Sequence, residues 1–246
     1  MEALNRAYGQ VRSIVGSDCE ELASVQLVES YRRFLRPNRV RVLLLAESHV
    51  FTTAEDRNIA IPPIPELPGY PTQYARFVYC LGYGERILTG DRSHPRDGTP
   101  QFWKILFSCA NAVSSGADFN PILGKTAHQT RVRNKAKLLC DLKARGIWLV
   151  DTSIVALYKQ GKKVPNMYSA LRESWRTYTR NVVISAEPQH VICIGKGVAS
   201  VVRNELERLF GDRFTTIAQP NAHLSSAEHM ANYQRYSATC LADVVA

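Results

Sequence analysis

The sequence predicts an α/β fold, a three-layer α/β/α sandwich around a central, mainly parallel sheet of four strands. Three observations carry this expectation. Four short apolar runs each end in polar residues, amphipathic helical patterns separate them, and the two alternate along the chain. Alternation of that kind builds right-handed crossovers and therefore parallel pairing. A length of 246 residues suits one core with elaborations, so residues 1–246 are read as a single domain. With 45% hydrophobic and 22% charged residues, the composition excludes a disordered, collagen-like or disulfide-dense chain.

In residues 1–36, Leu22, Val25, Leu27, Val28, Tyr31, Phe34 and Leu35 recur at three- and four-residue spacing. That spacing predicts one or two amphipathic helices, a helical N-terminal extension ended before Pro37. Val40–Ala46 is too brief for a helix and too continuous for a half-exposed strand, so it is read as a central parallel strand. Residues 52–100 break the pattern. Ile61–Pro71 holds five prolines, which excludes helix and central strand, and Gly82, Gly84, Gly90 and Gly98 punctuate the residues beyond it. This stretch is expected to be a long loop insertion with one strand, Arg76–Leu81. Helices are then predicted over Gln101–Ala112, Arg133–Ala144, Met167–Ser185 and Gly197–Phe210, and strands over Gly146–Asp151, His190–Gly195 and Phe214–Pro220.

Lysine and arginine total 31 against 22 aspartates and glutamates, a net charge of +9 with pI near 9.4, which favours a polyanionic partner such as nucleic acid. The six cysteines stand far apart with no CxxC pair, so they read as ordinary thiols, and neither a metal, an iron–sulfur cluster nor another cofactor is expected. The first residues, MEALNRAYGQVRSIVG, do not form a charged start followed by a long apolar core, and no stretch reaches about 18 consecutive apolar residues. A soluble, cytoplasmic chain with no membrane association is the expectation, and a monomer.

In an open parallel sheet ligands bind beyond the carboxyl ends of the strands. Those ends carry Glu47, Ser48 and His49 after the first strand, Asp151, Thr152 and Ser153 after the second, Gly195-Lys196-Gly197 after the third, and Gln219-Pro220-Asn221-Ala222-His223-Leu224-Ser225 after the last.

This constellation, in this order, resembles the uracil-DNA glycosylase superfamily, and in particular its mismatch-specific branch. Leu43–His49 stands where that family has a hydrophobic strand running into its first motif, a Gly-x-Asp/Asn-Pro or Gly-Glu-Ala-Pro turn that positions the attacking water. Gly98–Leu106, with Phe102-Trp103-Lys104, is similar to the branch's helix opening with Asn-Arg-Phe-Trp-Lys. Ile147–Ser153 looks like the strand that ends in the uracil-reading Asn, and Ile217–Ser225 matches the closing His/Asn-Pro-Ser motif with one residue inserted. The likeness spans residues 38–236. The chain departs from the pattern at Ala46 for Gly, Ser48 for the catalytic Asp or Asn, His49 for Pro, and Asp151 for Asn.

The resemblance implies hydrolysis of the N-glycosidic bond of uracil in single- or double-stranded DNA. Negative charge is needed beside the oxocarbenium-like sugar and donors beside the departing base. Glu47, Ser48 and His223 are the candidate catalytic residues, with Glu47 serving the cation and its water and His223 the anion. Asp151, Phe77, Tyr79, His49 and Asn221 are the candidate base-binding residues. An ionised Asp151 only accepts, so it suits the N3–H of uracil and repels O4 unless it is protonated or a backbone N–H intervenes. Phe77 and Tyr79 are the stacking candidates, with Phe51 as the nearer alternative. Leu224 matches the family's wedge, and Ser225, Gln219, Lys196, Lys162 and Lys163 are candidate DNA contacts. Each also has an ordinary structural role open to it: a cap for Asp151, an ion pair for Glu47, a backbone reason for the Gly-Lys-Gly turn. A catalytically silent nucleic-acid-binding relative and a nucleoside hydrolase remain as alternatives.

Overall fold

A computed structural model describes residues 1–85, 98–220 and 223–242. Its centre is a four-stranded parallel sheet formed by β1 (Val42–Ala46), β2 (Ile147–Asp151), β5 (His190–Ile194) and β6 (Phe214–Ile217), in the order β2-β1-β5-β6. The loop beyond β2 holds two more strands, a small antiparallel hairpin of β3 (Tyr158–Lys159) and β4 (Lys162–Lys163), which pairs Tyr158 with Lys163. Helices cover both faces of the main sheet, giving the three layers. Every residue of β1 and β2 is buried, as expected of parallel strands covered on both sides. The register pairs Ala46 with Asp151 and Leu45 with Cys193, which aligns the ends of β1, β2 and β5.

Among the described residues the α-helices are α1 (Glu2–Val15), α2 (Leu22–Phe34), the single turn α3 (Ala54–Arg57), α4 (Pro100–Ala110), α5 (His128–Ala144), α6 over residues 167–185, α7 (Lys196–Phe210) and α8 (Ser226–Leu241). Within α6 a π-helical turn, Trp175–Thr179, separates two α-helical pieces. The strand order makes the chain step from β1 to one side and then return past it to β5. The carboxyl ends of β1 and β5 therefore flank the topological switch point, where open α/β sheets bind ligands.

The N-terminal helices are more than an extension. Leu4, Ala7, Tyr8, Val11 and Val15 of α1 are buried with Ile154, Val155, Leu157, Val164, Met167 and Leu171 in a second apolar cluster. That cluster covers the loop leaving β2.

One local expectation is corrected. Residues 76–81 form successive turns instead of a strand, with Phe77 N–H donating to the Ala75 carbonyl (2.9 Å), Cys80 N–H to that of Phe77 (2.8 Å) and Tyr83 N–H to that of Cys80 (2.9 Å). Phe77 through Leu81 are all buried, so the run lacks the alternation of a half-exposed strand and satisfies backbone groups locally. The proline-rich insertion packs as well, burying Ile61, Ile64, Leu67, Tyr70 and Tyr74 in the main core. All six cysteines are free thiols. Among the described residues no helix is long and apolar enough to cross a membrane.

Candidate active site

A small cavity opens at the carboxyl ends of β1 and β2. Its inner wall is His49, Phe77, Val78, Leu149 and Asp151, all buried, and its outer wall is Ser48, Val50, Arg76, Thr99 and Phe102, all half-buried. The free space is about 30 Å³, room for a water molecule or two. A planar ring is larger than this space, so its entry needs side chains of the outer wall to move.

Behind the inner wall lies a fully buried chain of alternating charges. Arg32 Nη2 stands 2.7 Å from Asp151 Oδ2, and His49 Nδ1 faces the same oxygen at 3.5 Å. His49 Nε2 meets Glu20 Oε1 at 2.5 Å, while Arg32 Nη1 reaches Glu29 Oε2 at 3.4 Å. Glu29 Oε1 in turn accepts from Arg33 Nε (2.8 Å) and the Tyr178 hydroxyl (2.6 Å). Glu20 also accepts from the Ala156 N–H at 2.6 Å. Buried charges persist only when paired in this way.

The electrostatics come from the pairing. Burial alone pushes the Asp151 carboxyl up, yet the Arg32 charge and the His49 hydrogen bond hold it below the usual range. Burial opposes protonation of His49, but Glu20 and Asp151 overcome it and push the imidazole up to about 9. Asp151 is thus an ionised acceptor and His49 an imidazolium. The Asp151 carboxyl is not protonated, so it offers the cavity an acceptor only.

Glu47 is different. It lies one residue beyond the Ala46–Asp151 register pair, half-buried, at the switch point. A Cβ built on Gly197 would stand 3.1 Å from Glu47 Oε1, so the Gly-Lys-Gly turn leaves room for this carboxylate at the start of α7. Burial raises its pKa above the usual carboxylate value, Tyr158 hydrogen bonding and the Lys163 charge hold it down, and Asp151 adds to the rise.

The other candidates divide. Phe77 lines the cavity with the Arg32 guanidinium 5.3 Å from its ring centroid. Tyr79 is buried with its hydroxyl accepting from Leu149 N–H at 2.7 Å, which takes it out of any stacking role. Phe51 lies under Lys159 Nζ, 5.4 Å away, and off the cavity wall. Ser48 Oγ accepts from Leu157 N–H at 3.3 Å. His49 is committed to the buried charges and lacks a free edge for a base. His223 is exposed and off the cavity wall, Leu224 half-buried, and Ser225 forms a capping box with Glu228 at the start of α8. Gln219 packs against Gly195. Lys196 is exposed at the first position of α7, and Lys162 and Lys163 are exposed on the hairpin. Asn221 lies outside the described residues.

Arg32, Glu20 and Thr99 are site residues that sequence reasoning missed. Arg32 did carry a signal: with Val25, Val28 and Glu29 it falls on the buried stripe of α2, where a charged residue needs a partner. No protein-family model and no curated protein matches the chain.

Proposed function

We propose that the protein is a uracil-DNA glycosylase-like hydrolase, removing a deaminated base from DNA and leaving an abasic site. One observation carries the reading: two strand-end carboxylates on neighbouring strands have pKa values shifted in opposite directions, and the lowered one, Asp151, lines an aromatic-walled cavity at the carboxyl ends of β1 and β2. Divergent environments of this kind assign distinct roles to paired carboxylates.

In this reading the flipped base meets Phe77 and presents an N–H to Asp151. The C1′–N bond breaks with its electron pair leaving on the base, and the sugar takes up positive charge. Glu47 stabilises that charge and accepts a proton from the water that bonds to C1′; the proton then passes to the departing base. Lys162, Lys163 and Lys196, all exposed on the carboxyl side of the sheet, meet DNA phosphates. Cytoplasmic location and a monomeric state are part of the same proposal.

The test is base release from oligonucleotides containing uracil, hypoxanthine, xanthine or thymine opposite guanine, read by alkaline cleavage of the product. Release at uracil is expected, falling about 10²–10⁴-fold in Glu47→Gln with DNA affinity retained. Equal losses of release and affinity would remove Glu47 from the chemistry. A catalytically silent nucleic-acid-binding relative is the second reading, favoured by the small volume of the cavity. Salt-sensitive DNA binding without release of any base would establish it.

A further inference from the structure

Thr99 carries two features that its fold does not require. It sits in the left-handed region (φ 45°, ψ 58°), an outlying conformation for a β-branched residue. Its Oγ1 is buried and, among the described residues, has no hydrogen-bond partner, on a residue that lines the cavity. The backbone before it is pinned: Gly98 (φ 88°) lies so close to Tyr83 and Gly84 that a Cβ would stand 2.8 Å from the Tyr83 carbonyl oxygen. The strained turn therefore fixes Thr99 in the cavity's outer wall, with its hydroxyl buried and unsatisfied among the described residues. Strain and unsatisfied polar groups concentrate where a ligand completes the site.

We infer that Thr99 is a specificity-determining residue which, with Asp151, selects the lactam edge –NH–C(=O)– of a base. The inference rests on the glycosylase reading and names the chemical class that its pocket takes. Both cations converge on Asp151 Oδ2, and among the described residues nothing hydrogen-bonds Oδ1. A locked carboxylate accepts an N–H and repels a ring nitrogen lone pair. The Thr99 hydroxyl can donate to the neighbouring carbonyl. Deamination converts the amidine edge of cytosine or adenine into this lactam edge in uracil or hypoxanthine. The pair thus distinguishes uracil and hypoxanthine from their parents cytosine and adenine by the proton on the ring nitrogen; thymine and guanine share the lactam edge and are not excluded by it.

The experiment compares wild type, Thr99→Val and Thr99→Ser in kcat/KM for uracil release, in thermal midpoint, and in binding of free uracil and cytosine by ligand-observed NMR. Valine keeps the β-branch and removes the hydroxyl. Its expected signature is a loss of about tenfold in kcat/KM and weaker uracil binding, with a thermal midpoint unchanged or raised, because an unpaired buried hydroxyl is gone. Serine should restore release, and cytosine should not bind wild type. Release by Thr99→Val equal to wild type, or a loss matched by a fall in thermal midpoint, would overturn the inference while leaving the glycosylase reading intact. If wild type releases no base, the glycosylase reading fails, and free uracil then decides. Binding weakened by Thr99→Val upholds the lactam pocket, and no binding by wild type removes it.

Discussion

Glu47 and Asp151 end neighbouring strands one register step apart, and their environments pull them in opposite directions. Asp151 is the more deeply buried, yet its carboxyl is held below the usual range because Arg32 and His49 converge on it. Glu47 is half-buried and raised, because burial outweighs the help it receives from Tyr158 and Lys163. Depth in the protein therefore does not set the charge of a carboxylate; the number and closeness of its cations do. Under the proposed glycosylase reading, the locked acid would serve recognition, where a constant charge is useful, and the raised one proton transfer, where an upward shift is useful.

The largest way to break the contrast is to remove the cation that makes it. Arg32→Met leaves Asp151 and Glu29 buried with less compensation, and breaking a buried pair from one side costs about 3–5 kcal/mol. Denaturant unfolding should show a lower midpoint. Restoration of most of that stability in Arg32→Met with Asp151→Asn would confirm that the unpaired charge, and not lost packing, is responsible. A single variant as stable as wild type would mean that His49 alone holds Asp151.

The second way is pH. The folded His49 is pushed up to about 9 from 6.5, so its contribution to stability is fully present below about pH 6.5 and is lost as pH rises through about 9. Asp151, depressed below 3.8, contributes stability above that value, and its share is lost only as pH falls through its lower folded pKa. Unfolding free energy should thus decline between about pH 7 and 9.5 in wild type and decline less in His49→Gln. A flat wild-type profile over that range would show that His49 is neutral, with Asp151 held by Arg32 alone.

The fold was readable where one physical signal dominated. Continuous apolar runs such as Leu43–Ala46 and Ile147–Val150 have no amphipathic alternative, so their burial in a parallel sheet followed from composition and length. Phe77–Leu81 carries the same β-forming residues and folds as turns, because its apolar side chains are all buried by a loop that doubles back on itself. The site was readable at the strand ends, since a parallel sheet fixes where Glu47 and Asp151 must stand. The hidden part comes from distant stretches. Arg32 meets Asp151 across 119 residues, and a contact of that separation leaves no local pattern beyond a charge on a buried helix face. Thr99 was hidden for another reason, since backbone strain at a non-glycine residue has no signature in its neighbours.

The smallest expected effect sharpens the Glu47 side of the comparison. The Tyr158–Lys163 pair of the hairpin brings a hydroxyl and an ammonium to bear on one carboxylate, and both hold its pKa down. Tyr158→Phe and Lys163→Gln should each move the acid limb of the base-release profile to higher pH, by less than about one unit, since the Lys163 side chain is exposed and its charge screened. The sign is fixed: removing a group that favours the ionised form raises the pKa, so more alkaline conditions are needed to generate the base. At a pH well above the limb and at saturating DNA the two variants should share the wild-type kcat, because the carboxylate is then ionised in all three, while Lys163→Gln, which removes a proposed phosphate contact, raises KM alone. A loss of kcat that persists there, with the limb unmoved, would take Tyr158 and Lys163 out of the tuning of Glu47 and leave it to burial and Asp151.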